Sequence, residues 1–310
     1  MLTRREMKGI YALAPTPLTG SGKFDEGTFR QNVRKLCKAG VHGVATTGTL
    51  GEFNILPWEA HQQLIEVLAD ETGRANGVRS IAGCTGVNTE EAVKKTRFAE
   101  SCGIDAVMNV VPFYHMLRCD EVVAYYAEVA EAAPNIGIIV YNNPFTGRVL
   151  HNAATFQELS RIDTVLGSKE TTNDFAHWME IVEVRDLAFM HIDTLFVPSM
   201  MWGGKGCFSI TACLQPELIL RAYEASTEGR WDVAMALQRK ITDLITPYYV
   251  HGSGYELRPA GDPSVFKPYV EAAGFLKCGS PGRPYLPIPN RVKEQLAEDV
   301  RRAISELGES

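Results

Sequence analysis

No apolar run in this 310-residue chain approaches the roughly 20 residues that a helix needs to span a bilayer. The opening stretch, MLTRREMKGIYALAPTP, carries charges and lacks the apolar core of a signal peptide. A basic footprint is missing too. The formal net charge is −6, which argues against a nucleic-acid partner, and the mild, dispersed acidity reads as a device for solubility. Cysteines are few and odd in number: Cys37, Cys84, Cys102, Cys119, Cys207, Cys213 and Cys278. None form a CxxC pair, which speaks against a disulfide framework or a cysteine zinc site and for reduced thiols in a cytoplasmic setting. The seven histidines contain no HExxH, so no dedicated metal site is expected. After the first apolar run, TPLTGSGKF offers neither a GxGxxG nor the spacing of a P-loop.

What the chain does have is ordinary globular composition, 45% apolar and 22% charged, arranged in a strong alternation. Eight short runs read as strands: 10–15, 43–48, 78–83, 106–111, 137–142, 164–169, 187–192 and 206–211. Amphipathic stretches lie between them. Residues 26–39 place Phe29, Val33, Leu36 and Cys37 on one face, and 57–70 do the same with Trp58, His61, Leu64, Ile65 and Leu68. Segments 90–101, 120–132, 153–161 and 173–184 follow, and 195–202 is a short helix. Strands alternating with helices predict a parallel sheet with right-handed crossovers. Eight units predict closure into a (β/α)8 TIM barrel, which needs about 250 residues. An open doubly wound sheet is the alternative. From about 215 the strands stop and four helical segments follow, with Gly/Pro-rich connections at 251–263 and 279–290. The expected organisation is a barrel over 1–214 and C-terminal helices over 215–310 packed on it as one structural unit.

In a parallel barrel, chemistry sits at the C-terminal strand ends. Those ends read TTGTLGE (46–52), VPFYH (111–115), YNNP (141–144), SKE (168–170), HIDT (191–194) and CFS (207–209). They hold no carboxylate cluster suited to magnesium and no Ser–His–Asp set. They do hold one lysine, Lys169. A neutral amine attacks a ketone to form an imine, which accepts electrons when an adjacent C–C bond breaks. An amine has a reference pKa of about 10.4, and desolvation favours its neutral, nucleophilic form. Nearby tyrosine can shuttle the proton. The GTLGE turn offers backbone N–H groups to a carboxylate. Each feature has a plainer counterpart. A lysine at a strand end is ordinarily a solvated surface group, Tyr141 suits a core, and Thr46, Thr47 and Thr49 are good strand formers. Glu52 is expected to tie down its turn rather than to react. His191 and Asp193 sit on the same rim with no assigned role.

The ordered set resembles the pyruvate-dependent class I aldolase family, which includes dihydrodipicolinate synthase and N-acetylneuraminate lyase. Its carriers are Gly48-Thr49-Leu50-Gly51-Glu52, Pro112-Phe113-Tyr114, Tyr141-Asn142-Asn143-Pro144, Gly167-Ser168-Lys169-Glu170 and GGKGCFSITA at 203–212. The resemblance covers nearly the whole chain. It implies that Lys169 forms a Schiff base with a 2-oxo acid, that no further cofactor is needed, and that Tyr141 shuttles protons. It implies that Gly48, Thr49 and Leu50 hold the substrate carboxylate, Thr49 through its hydroxyl and Thr49 and Leu50 through their amides. Tyr114 matches a tyrosine that reaches into a neighbouring subunit, implying a homo-oligomer, usually a tetramer.

Departures from the family pattern make the expected pocket less polar. Leu50 stands where the synthase and the sialate lyase carry a hydroxyl residue. Thr146 stands where the synthase has its second carboxylate-binding arginine, with Arg148 two residues further on. The GTLGE turn, the Asn-Pro after Tyr141 and the tail at 271–289 look more like the hydratase-aldolases that act on hydroxy- or carboxybenzylidenepyruvates. In that branch Asn143 would handle the added water, and Phe208 and Ser209 would belong to the substrate pocket. Phe113, Phe145 and Trp202 are further candidates by position. The expected activity is cleavage of an aromatic benzylidenepyruvate-type 2-oxo acid to an aldehyde and pyruvate. The alternatives are a synthase-like or sugar-acid aldolase, a 2-keto-acid dehydratase, and an idle keto-acid-binding barrel.

Overall fold

In a computed structural model, which describes residues 2–254 and 263–307, eight parallel strands form a closed barrel in sequence order. They are β1 (Gly9–Leu13), β2 (Gly43–Thr46), β3 (Arg79–Gly83), β4 (Ala106–Asn109), β5 (Gly137–Asn142), β6 (Val165–Glu170), β7 (Ala188–Ile192) and β8 (Gly206–Ser209). Closure comes from β8 pairing with β1 in the register Gly9 to Gly206. Every strand is buried along almost its whole length because side chains fill the barrel on one face and meet helices on the other. This explains why the runs read as continuously apolar rather than alternating.

The helices between strands are α1 (Glu26–Lys38), α2 (Trp58–Gly73), α3 (Thr89–Ser101), α4 (Cys119–Ala132), a single turn α5 (Pro144–Gly147), α6 (Ala153–Leu159), α7 (Phe175–Ile181) and α8 (Phe196–Met201). Their starts are chemically marked. Asp25, Asn88, Asn152 and Asp174 each accept a hydrogen bond from a first-turn backbone N–H, satisfying a donor the helix leaves orphaned. The TIM barrel is as the periodicity predicts, and the open sheet is excluded. Beyond β8 come α9 (Pro216–Thr227), α10 (Trp231–Gly254), α11 (Pro263–Ala273) and α12 (Asn290–Leu307). Helix α10 continues past Pro247, through the start of the stretch expected to be a connection. Most of that expected connection, 255–262, lies outside the described residues. No described helix is long and apolar enough to cross a membrane.

Two local features position the rim. Gly167 lies where an added Cβ would sit 1.8 Å from the Ala188 carbonyl oxygen, so only glycine lets β6 approach β7 there. After β2 the chain turns through Thr47 and Glu52, both left-handed at φ 51° and 57°, around a short 3-10 turn at Thr49–Gly51. Left-handed backbone is uncommon for non-glycine residues and unusual for β-branched threonine. The turn is held by Thr47 Oγ1 donating to the Gly83 carbonyl at 2.9 Å and by Thr16 Oγ1 donating to the Gly51 carbonyl at 2.8 Å.

Candidate active site

The register of β5 and β6 aligns Tyr141 with Lys169. Residues opposite each other in a ladder project to the same face, so both side chains enter the barrel. Lys169 Nζ lies 3.9 Å from the centroid of the Tyr141 ring and 5.5 Å from that of Phe208. Both residues are buried, yet both line a cavity of about 230 Å3 at the C-terminal mouth of the barrel. Burial opposes ionisation of the Tyr141 phenol. The Lys169 charge and hydrogen bonding with Thr49, Lys169 and Asn143 outweigh it and hold the phenol below its ordinary value. Thr49 Oγ1 lies 3.3 Å from the Tyr141 hydroxyl.

Thr49, Leu50 and Asn143 line the same cavity. The N–H groups of Thr49 and Leu50 open the 3-10 turn, where no intrahelical acceptor is available to them. Behind that turn a space of about 10 Å3, lined by Gly48, Thr49, Leu50, Met108 and Lys169, continues the cavity. That is room for about one water-sized group. Asn143 caps α5 through its side-chain oxygen, which accepts from the N–H groups of Phe145 at 3.2 Å and Thr146 at 3.3 Å.

Other expected residues fall elsewhere. Phe208 is wholly buried and packs edge-on against Tyr11 beneath the lysine, so it fills the barrel rather than lining the cavity. Ser209 donates to Asp193 Oδ1 at 2.6 Å and is also sealed in. Tyr114 is 78% exposed, outside the cavity of its own chain. Phe113 packs on Phe53 and Trp202 on Phe175, whereas Phe145 does line the mouth. Arg148 is exposed and is not among the lining residues.

The rim residues left without a role now have surroundings. His191 turns into the helix layer. Its ring nitrogens contact the carbonyls of Thr172 at 2.9 Å and Ile192 at 3.1 Å, and burial pulls its pKa down to about 4. Asp193 faces the cavity, but its carboxylate already accepts from Ser209 Oγ, Ile210 N and Thr211 N, tying the end of β7 to that of β8. Sequence patterns missed Tyr248 and Tyr249, which α10 brings to the cavity wall, along with Leu13, Thr171, Asn173, Ile192 and Ile210. The adjacent tyrosines after Pro247 were the only local signal. Among the described residues no group of three or more His, Cys, Asp or Glu side chains is placed to hold a metal ion.

A TIM barrel with a buried lysine and tyrosine side by side at the mouth defines the class to which aldolase-type lyases belong. The chain is a member of the dihydrodipicolinate synthetase family, whose model matches residues 6–303. It is 31% identical over 309 residues to the 4-hydroxy-tetrahydrodipicolinate synthase of Methanopyrus kandleri, covering 98% of this chain and 97% of that one. The crystal structure of dihydrodipicolinate synthase from Aquifex aeolicus superposes with a TM-score of 0.84 at 25% identity, covering 96% and 98% of the two chains. A structure of PhdJ bound to substrate intermediate shares the fold, with a TM-score of 0.87 at 20% identity over 99% and 98%. Membership makes the protein an enzyme of the class I aldolase type. The relatives named as synthases support the family and the synthase-like alternative better than the hydratase-aldolase branch expected from the motifs.

Proposed function

We propose that the protein is a Schiff-base-forming lyase in which Lys169 is the nucleophile toward a 2-oxo acid. The observation that carries this is the juxtaposition of Lys169 and Tyr141 inside one apolar-walled cavity, with the Thr49 hydroxyl in reach of the phenol. Lys169 attacks the keto carbon, and loss of water gives the iminium. The carboxylate of the substrate sits at the Thr49 hydroxyl and at the free Thr49 and Leu50 amides.

For substrate, the lining favours an apolar or aromatic tail. Leu13, Leu50, Phe145, Ile192, Tyr248 and Tyr249 supply the wall. Lys169 is the one cation among the described lining residues, so these offer a second substrate carboxylate no cationic partner. With a benzylidenepyruvate-type substrate, the iminium conjugates with the alkene, water positioned by Asn143 adds at the far carbon, and the resulting enamine takes up a proton at the carbon between to restore the iminium. Tyr141 takes the proton of the new hydroxyl. The C–C bond then breaks, an aromatic aldehyde leaves, and its electrons form the enamine. Protonation and hydrolysis release pyruvate and restore Lys169. The lysine is the electron sink, so the scheme uses no metal or organic cofactor.

A second reading is 4-hydroxy-tetrahydrodipicolinate synthesis, favoured by the names of the curated relatives. Borohydride trapping with pyruvate, followed by mass spectrometry of the Lys169 peptide, tests both: a reduced adduct on Lys169 is expected, and its absence overturns both. Pyruvate released from a benzylidenepyruvate, with no 4-hydroxy-tetrahydrodipicolinate formed, selects the first, and the reverse result selects the second. Assembly into a homo-oligomer belongs to the same proposal. The exposed Tyr114 and Met116 would lie at the contact, and sedimentation of Tyr114→Ala against the parent chain checks it.

A further inference from the structure

We infer that Lys267, on α11, is a positioning residue for the carboxylate-binding turn and acts through Glu52. This rests on the proposal that the Thr49–Leu50 turn receives the carboxylate of the substrate. Glu52 closes that turn in the left-handed conformation, which an ordinary side chain adopts only when its surroundings hold it there. Its N–H donates to the Thr49 carbonyl at 3.2 Å, so its backbone is continuous with the turn's own hydrogen bonding. The Glu52 side chain does not line the cavity and cannot touch substrate. Instead it points into the protein, wholly buried, where it forms an ion pair with the Lys267 ammonium, also wholly buried. The second carboxylate oxygen accepts from the Gly282 N–H at 2.7 Å, and Lys267 donates also to the Ser280 carbonyl at 2.8 Å.

Burying two charges carries a heavy desolvation cost, which their attraction often fails to repay, so such a pair is a poor way to gain stability. It is a good way to fix one geometry, because once water is excluded each group is held at once by the other and by a backbone partner, Gly282 N–H for Glu52 and the Ser280 carbonyl for Lys267. The other two anchors of the turn, Thr47 and Thr16, are neutral hydroxyls from within the barrel. Glu52 is the charged anchor, and its partners come from the C-terminal region. Lys267 therefore sets where the Thr49 and Leu50 N–H groups point.

The probes are pyruvate and methyl pyruvate; the ester lacks the carboxylate charge, and its added methyl group and more electrophilic ketone are the same for every variant, so the change in preference between variants is what is read. Initial rates of borohydride trapping on Lys169 are compared for the parent chain, Lys267→Met, and the double variant Glu52→Gln/Lys267→Met. The double variant removes both charges at once, a change that buried pairs tolerate, and keeps a folded chain in hand if the single variant unfolds. The parent is expected to trap pyruvate faster than its ester. In either variant that preference is expected to fall about ten- to a hundredfold, the range for losing a hydrogen bond to a charged group, with trapping of the ester nearly unchanged. A preference equal to that of the parent, or an equal loss for both probes, overturns the inference, since a merely structural role moves the two together. If the parent forms no adduct, the Schiff-base proposal fails. If it forms adducts without preferring the acid, the carboxylate-turn assignment fails. Either result takes this inference with it.

Discussion

On β6 the side chain of Lys169 enters the barrel, while Ser168 and Glu170 on either side of it turn to the helix layer. Inside, Lys169 lies over the Tyr141 ring, and the carboxylate nearest to it in sequence is directed away. Outside, Glu170 is completely buried and hydrogen-bonded. Asn142 Nδ2 donates to it at 2.8 Å, Ser168 Oγ donates to its other oxygen, and His177 Nε2 lies 3.8 Å away. Asn142 in turn accepts from the His151 N–H at 3.0 Å. Burial pushes the Glu170 carboxyl above its ordinary value, against the opposing pull of His177, Ser168 and Asn142. The two faces teach how a strand keeps a nucleophile reactive. A two-residue period separates an amine and a carboxylate that are neighbours in sequence, so the two form no ion pair and the amine alone faces the cavity.

The sharpest way to break this contrast is Lys169→Ala, which is expected to abolish the pyruvate adduct. Glu170→Gln should retain it, as mass spectrometry of the trapped protein will show. Next comes Tyr141→Phe. Turnover is expected to fall about 10²- to 10⁴-fold, the usual cost of losing a general acid–base group, while Lys169 is still trapped by pyruvate. Equal loss of trapping and turnover would show that Tyr141 serves packing alone. On the outer face, Glu170→Ala should cost about 2–4 kcal/mol in chemical denaturation, since it strands two buried donors. Adduct formation by the surviving folded protein should persist.

A subtler test uses pH. A carboxyl raised in the folded state binds its proton more tightly there, so its contribution favours folding at low pH and is lost as pH rises through the folded pKa. The Tm of the parent relative to Glu170→Gln is therefore expected to fall as pH rises above the ordinary carboxyl value of 4.5. A difference that is flat with pH would mean that the carboxyl is not raised. The smallest expected effect lies inside the barrel. In Lys169→Met the Tyr141 phenol loses the charge that lowers its pKa, and burial prevails, so its NMR titration should move upward.

Much of this comparison is legible in the sequence. The run 164–169 marks β6, shifted by one residue to Val165–Glu170, because apolar β-branched segments between amphipathic helices repeat eight times. The helices Pro216–Thr227 and Asn290–Leu307 fall in the region beyond about 215 that the sequence reads as helical without strands. Less was legible where a short turn or a distant helix builds the wall. Nothing in the one-turn helix at Pro144–Gly147 announces itself by period, since four residues are too few to repeat. Tyr248 and Tyr249 read as an ordinary helical pair, and Phe208 reads as a pocket residue, although packing against Tyr11 draws it beneath the cavity floor.

Local pattern alone determined the barrel, the order of its strands and the strand end that carries Lys169, because periodicity and strand-end position are properties of neighbouring residues. Tertiary structure decided what local pattern cannot encode. It set the register that brings Tyr141 beside Lys169, the buried partner that Glu170 finds in Asn142, and the meeting of Glu52 with Lys267 far along the chain. Pairings of that kind depend on how the strands stagger and where the last helices dock, and those are settled only when the whole core packs.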